Sequence, residues 1–431
     1  MFAQCLRGFE VDGRLSQKKI AKQNRVPYFY LQPLLPLDGN IWSTDKSVCA
    51  TKARFYDVAQ TLLSVRRAQY NFVHNLTMNI HHQTLVRSCV IVLLLGCLNS
   101  SCANRNTNGS VDPNSTIVYS NSPFDLQGIN AKFAKDIGYD SKDRTQFDIW
   151  LPTSTAPTGL VIYVHGGGFT SGDKNYVYSV QQGGAWDFPS DIRFLLQNNI
   201  AFATIRYSLL SPTGEREGIK KSMSDVKRAL QYIRYRASDF NINKNKIILA
   251  GNSAGAGTSL WIALNKELAD PQNSDPVLKE STRVSAVVAR ETQSSYNLED
   301  RWVNNVFTDY KLTWSEIVAN EAGAILKLYG LSSNAQYELP ATDAYREEVD
   351  MLSLLSADDP PLWINNTLRD VVHPYSAPDV ASHHAFHARE LKKKADAVGV
   401  ENITFYGRNP VIFSHPSNES WVQFCKRKIS Q

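Results

Sequence analysis

Lys246-Ile247-Ile248-Leu249-Ala250-Gly251-Asn252-Ser253-Ala254-Gly255 is the stretch from which the architecture unfolds. Its first five residues are a short apolar run, the pattern of a strand buried on both faces. After Ser253 the chain continues Ala-Gly-Ala-Gly-Thr-Ser-Leu-Trp-Ile-Ala-Leu, rich in small and helix-forming residues. The expected order is strand, tight turn, helix. A serine on such a turn is strained, and its hydroxyl stands clear of the backbone. Gly251 and Gly255 flank it because a Cβ there would collide with the neighbouring strand or helix. The helix that follows aims its first amides and its positive dipole end at the serine. The bland alternative is a glycine-rich helix start without chemistry.

A second glycine motif lies upstream and argues against that alternative. Gly159-Leu160-Val161-Ile162-Tyr163-Val164 reads as another buried strand, and it runs into His165-Gly166-Gly167-Gly168-Phe169. Consecutive glycines let the chain turn several N–H groups toward one point. The tetrahedral intermediate of acyl transfer needs such donors in place before charge develops, each worth about 2.7–4 kcal/mol of barrier. The candidate donors are the amides of Gly167, Gly168 and Ala254. His165 and Gly166 support the loop, with His165 bracing it rather than reacting. A phosphate cradle would require a following Gly-Lys-Ser/Thr, which is missing.

His-Gly-Gly-Gly-Phe, followed by Thr170-Ser-Gly-Asp-Lys174 and then by Gly-Asn-Ser-Ala-Gly, resembles the carboxylesterase and hormone-sensitive-lipase-like branch of the α/β-hydrolases. Phe147-Asp-Ile-Trp-Leu-Pro152, Ala201-Phe-Ala-Thr-Ile-Arg-Tyr-Ser208 and Asp239-Phe-Asn-Ile-Asn243 are similar to further strands and turns of that family. The resemblance spans roughly residues 130–430 and is specific as far as Ser253. It implies an α/β-hydrolase fold and ester hydrolysis without naming the ester.

A triad in this fold runs Ser, then Asp or Glu, then His along the chain. Asp370 follows the strand-like run 361–366 by four residues, where family members place the acid; Asp379 is the second candidate. For the base the resemblance points to His415, on a loop between a strand-like run at 402–406 and an amphipathic terminal segment, although Ser414-His415-Pro416 replaces the usual His-Gly-Phe. The catalytic set expected from sequence is therefore Ser253, Asp370 and His415. His383 and His387, four apart on an expected helix, have the spacing of two zinc ligands. They lack a third ligand and an orienting shell. With His384 they read as a surface cluster at a helix start. The sequence calls for no cofactor and no metal.

Strand-like runs at 137–140, 147–151, 159–165, 200–206, 246–250, 284–289, 361–366 and 402–406 alternate with helical segments. In one of these Ile219, Met223, Val226, Leu230, Ile233 and Ala237 share a face. This alternation predicts a mostly parallel central sheet with helices on both faces. Residues 291–356 break it and read as a helical cap insertion whose aromatics, Trp302 and Phe307 among them, would supply the substrate pocket.

The net charge of +5 suggests nucleic acid only at first sight. Residues 1–96 hold 12 Lys and Arg against 5 Asp and Glu, leaving 34 against 36 of the chain's 46 and 41 for the remainder. The catalytic part is slightly acidic, which excludes a nucleic-acid partner. Residues 1–77 lack sustained periodicity and read as an over-extended reading frame. Met78 to Arg87 leads into the apolar Cys89-Val-Ile-Val-Leu-Leu-Leu-Gly96, so 78–97 reads as a signal peptide. Leu94-Leu-Gly-Cys97 resembles the lipobox of bacterial lipoproteins, which would make Cys97 the lipid attachment site. The apolar run is far short of the ~20 residues of a membrane span. Residues 98–125 read as a flexible tether, and 126–431 as the catalytic domain. Of six cysteines, a chain starting at Cys97 keeps only Cys97, Cys102 and Cys425, no disulfide framework.

The resulting expectation is an exported serine carboxylic ester hydrolase, periplasmic and membrane-anchored or secreted, acting on a small-molecule or glycan-linked ester. The alternatives are a non-catalytic binding protein of the same fold with a decayed triad, and a peptidase of the same fold. Oligomeric state is not encoded in any of these motifs.

Overall fold

The structure, a computed structural model, describes residues 116–181 and 186–431. The stretches read as an over-extended frame (1–77) and a signal peptide (78–97), with Cys97, lie outside the described residues.

Ten strands form one sheet: β1 (Tyr119–Ser120), β2 (Ala131–Gly138), β3 (Gln146–Pro152), β4 (Thr158–Val164), β5 (Ile200–Arg206), β6 (Ile242–Asn252), β7 (Ala286–Arg290), β8 (Leu362–Asn366), β9 (Asn402–Tyr406) and β10 (Phe413–Ser414). Their order is β1-β2-β3-β5-β4-β6-β7-β8-β9-β10. From β5 to β9 neighbours run parallel, and the strands outside that block pair antiparallel. The helices are α1 (Phe188–Gln197), α2 (Ile219–Tyr235), α3 (Ala254–Leu264), α4 (Trp314–Tyr329), α5 (Pro340–Glu348), α6 (Met351–Leu354), α7 (Val380–His383), α8 (Ala385–Val398) and α9 (Trp421–Ser430).

The apolar runs of β4 and β6 are continuous because both faces of the sheet are covered. Leu160, Ile162, Val164, Ile247 and Leu249 point into one core, with α2 and α3. Val161, Tyr163, Ile248 and Ala250 point into the other, with α1 and α9. The predicted face of α2 is buried, from Ile219 through Ile233.

Chain order reverses at β4. From β4 the chain steps to β5 on one side, then crosses to β6 on the other. Such a reversal opens a crevice at the carboxyl ends of the strands, the usual ligand site of an open α/β sheet. Val164 pairs with Gly251 there. His165 and Ser253 thus leave the sheet side by side.

Residues 119–120, read as part of the tether, form β1 and add a strand to the sheet edge through antiparallel pairing with β2. The insertion 291–356 is helical, with a π-helical segment (Leu298–Val306) before α4. Its aromatics are used differently from the expectation. Trp302 reaches the cavity, whereas Phe307 and Tyr329 are buried in the core.

Candidate active site

Ser253 sits between β6 and α3 at φ 51° and ψ −121°, a left-handed conformation that costs a non-glycine residue about 1–3 kcal/mol. The strain is held from both sides. The Ser253 amide donates to the Arg290 carbonyl of β7 at 2.9 Å, and its carbonyl accepts from Gly257 N at 2.9 Å. A Cβ on Gly255 would run into the Val164 carbonyl oxygen, and one on Gly251 into the Gly255 backbone. Strand, turn and helix meet too closely for any side chain there.

The glycine loop at the end of β4 is folded onto itself. Gly167, at φ +106°, offers its carbonyl to the amides of Thr170 and Ser171, both at 3.0 Å. Its N–H and those of Gly168 and Ala254 donate to no backbone acceptor among the described residues, and all three residues line one cavity with Ser253. His165 braces this loop. Its Nδ1–H donates to the Gly166 carbonyl at 2.7 Å, and its ring stacks on Tyr207 at 4.2 Å. Burial pushes its imidazole down to about 4, so it stays neutral and structural. The far end of the loop is anchored by Lys174, whose Nζ bridges Asp148 of β3 at 2.9 Å and Asp136 of β2 at 2.8 Å.

The residue facing Ser253 is His383. Its Nε2 lies 2.8 Å from the Ser253 Oγ, and its Nδ1 lies 3.1 Å from the main-chain carbonyl of Asp379. A carbonyl only accepts, so Nδ1 carries the proton and Nε2 offers its lone pair to the serine hydroxyl. Burial holds this imidazole below its ordinary value. The Asp379 carboxylate and the hydrogen bond to the Asp379 backbone oppose that shift, and Arg369 adds to it.

The two histidines that follow are clamps. His384 Nε2–H donates to the Val372 carbonyl at 3.0 Å while its Nδ1 accepts from Phe386 N. His387 Nε2–H donates to the Ala381 carbonyl at 2.9 Å while its Nδ1 accepts from Ser294 N. Both are fully buried, and burial depresses them to about 4 and about 3. Gln293 donates to the Ser382 carbonyl at 2.6 Å, and Asn366 at the end of β8 binds the carbonyls of Thr292 and His384. Together these bonds pin α7. The expected surface cluster is therefore buried, because the cap closes over the start of α8. No His, Cys, Asp and Glu group among the described residues could hold a metal.

His415 does not reach the site. The turn 407–412 at the end of β9 occupies the carboxyl edge, and β10 runs back antiparallel. His415 therefore lies level with Thr404, two residues past the turn's return, and donates its amide to that carbonyl. Its ring bonds Ser417 Oγ at 2.8 Å. Asp370 is half-exposed and staples its loop to the same hairpin through Asn409 at 2.7 Å. Asp379 lines the cavity, but its carboxylate is exposed and pairs with Arg369 at 3.9 Å. The histidine brought to Ser253 thus precedes β9 in the chain, whereas the expected one follows it. The signal in the sequence was the clustering of His383, His384 and His387 within five residues.

The cavity over these residues has a volume of about 980 Å³, at the upper end of ordinary ligand pockets. Tyr296, Leu298, Trp302 and Leu328 give it an apolar side, and Asn320, Glu321, Ser376 and Asp379 a polar one. Residues 147–310 match the BD-FAE family model, which describes an α/β-hydrolase-like esterase family. The domain has the α/β-hydrolase fold.

Solved structures similar to the domain carry related descriptions. One is a truncated carbohydrate esterase from gut microbiota, 18% identical, covering 71% of this chain and 99% of its own, with a TM-score of 0.49. Another is an acetyl ester-xyloside bifunctional hydrolase from Caldicellulosiruptor lactoaceticus, 16% identical, with coverages of 71% and 90% and a TM-score of 0.44. A third is an esterase from Thermogutta terrifontis with propionate bound, 15% identical, with coverages of 72% and 94% and a TM-score of 0.40. No curated protein matches the sequence. The α/β-hydrolase fold is read from the sheet order and the turn at Ser253, and the family match covers residues 147–310.

Proposed function

We propose that the protein is an ester hydrolase that cleaves carboxylic esters with Ser253 as nucleophile and His383 as general base. The observation that carries the reading is the 2.8 Å contact between Ser253 Oγ and His383 Nε2 on a strained turn. Ser253 Oγ attacks the acyl carbon as Nε2 takes its proton. The carbonyl oxygen becomes an oxyanion that accepts hydrogen bonds from the amides of Gly167, Gly168 and Ala254. The imidazolium then returns the proton to the leaving alkoxide oxygen. Water, deprotonated by the same Nε2, attacks the acyl-enzyme, and the acid departs.

The mixed lining of the cavity supports a small acyl group on a polyhydroxylated alcohol, a glycan-linked ester among the candidates. The proposal also includes export, with Cys97 acylated after cleavage at Gly96. A serine-directed fluorophosphonate should label Ser253, and Ser253→Ala should remove both label and activity on p-nitrophenyl acetate. Labelling elsewhere, or activity within tenfold of wild type, rejects the nucleophile. Mass spectrometry of the mature N-terminus after expression from Met78 should find acylated Cys97; an unmodified or absent Cys97 rejects the lipoprotein reading.

A further inference from the structure

We infer that the group orienting the catalytic imidazole is the main-chain carbonyl of Asp379 and not a side-chain carboxylate. The inference rests on the proposed pairing of Ser253 with His383. The Asp379 oxygen accepts twice from the same residue, from His383 N at 3.2 Å and from His383 Nδ1–H at 3.1 Å. Asp379 takes a left-handed conformation, φ 64° and ψ −5°, immediately before α7. That backbone turn aims its carbonyl along the helix at the ring four residues on. The carbonyl cannot wander, because α7 is pinned by Gln293 through Ser382, by His387 through Ala381 and by Asn366 through His384.

The nearby carboxylates are otherwise engaged or pointed away. The Asp379 carboxylate is 65% exposed and pairs with Arg369. Asp370 is tied to Asn409. Glu291 spends Oε1 on the amides of Thr367 and Leu368 at 2.9 and 3.0 Å. Among the described residues no carboxylate oxygen bonds His383 Nδ1.

A carbonyl acceptor performs the geometric half of the orienter's task. It holds the proton on Nδ1, leaves the Nε2 lone pair toward Ser253 Oγ, and fixes the ring plane. It carries no full charge to balance the imidazolium formed when Nε2 takes the serine proton. That balance comes at longer range from the Asp379 carboxylate. The charges facing His383 are that carboxylate, which favours the cation, and Arg369, which disfavours it. The Asp379 side chain is thus a modulator, and its backbone is the positioning element.

The test compares Asp379→Asn, Asp379→Gly and Asp370→Asn with wild type, on p-nitrophenyl acetate, with kcat and KM resolved. Both Asp379 variants keep the carbonyl, and glycine tolerates the left-handed conformation. Each should retain kcat to within about tenfold, where loss of a triad carboxylate costs about 10⁴-fold. The acid limb of kcat/KM should move to lower pH in both, because the negative charge facing the imidazole is gone. Asp370→Asn should match wild type. Nitrogen-15 NMR should show the His383 ring protonated on Nδ1 in wild type and in Asp379→Asn alike. A fall of 10³-fold or more in kcat for either asparagine variant, with melting temperature intact, overturns the inference. So does loss of the Nδ1 proton in Asp379→Asn. His383→Ala run alongside separates the two layers, since full activity there rejects the base itself.

Discussion

At the residue scale the proposed chemistry depends on three neighbouring histidines, His383, His384 and His387, held in opposite tautomers. His384 and His387 hold their proton on Nε2, whereas His383 holds it on Nδ1. The difference is set entirely by which backbone carbonyl each ring can reach. His383→Ala should lower kcat by about 10⁴-fold or more, as removal of a triad base does, while His415→Ala should leave kcat and KM within about twofold. Steady-state kinetics on p-nitrophenyl acetate reads both. Because burial depresses His383, the proposed base stays neutral to lower pH than a free imidazole. The acid limb of kcat/KM should therefore fall below about pH 6.5.

The turn at Ser253 was legible from sequence because its constraints are local. Two glycines are demanded by backbone approaching backbone, and an apolar run before them marks the strand. The proposed base was not legible. His383 earns its place from the burial of its two neighbours under the cap, and that burial depends on Ser294, Gln293 and Asn366, between 17 and 90 residues away in the chain. His415 had the expected chain position. What sequence could not reveal is that β10 turns back and carries it away from the carboxyl edge.

At the scale of elements, the glycine loop is held by a charge buried under it. Lys174 is nearly inaccessible and Asp148 completely so. Tyr178 OH and Asp136 N also bond Asp148. Lys174→Met would leave Asp148 buried with its counter-charge gone, which costs about 3–5 kcal/mol. Denaturant unfolding should show that loss, and the double variant Lys174→Met/Asp148→Asn should recover much of it. If the single variant is as stable as wild type, the pair is dispensable for anchoring the loop. The strand pattern was largely readable, since β4, β5, β6 and β8 are apolar runs that two covered faces require. β1 and β10 escaped notice because two residues at a sheet edge leave no periodicity to detect.

For the whole molecule, the buried ionisable groups set the response to acid. His165, His384 and His387 are held near 4, 4 and 3 by burial, against about 6.5 in the unfolded chain. A depressed histidine binds fewer protons folded than unfolded, so stability rises with pH across that window. Its contribution is fully present above about pH 6.5 and is lost as pH falls toward 4. Asp191 and Glu291, raised by burial to about 6 and about 7, act the other way between about pH 4 and 7. Three histidine shifts outweigh two carboxyl shifts of similar size. Thermal unfolding should therefore show a midpoint that drops between pH 6.5 and 4.5, and His387→Gln should flatten the drop. A midpoint constant over that range counts against the buried neutral histidines.

Residues 374–383 supply cavity walls, the turn at Asp379 and the imidazole within a single ten-residue ribbon. Selectivity and turnover are therefore written in the same short text. A laboratory that randomises this ribbon to change which alcohol is accepted will disturb the proton shuttle in most variants. Libraries confined to Asn320, Ala324 and Leu328, on a helix that carries no reacting group, could reshape what enters while leaving the shuttle's timing alone.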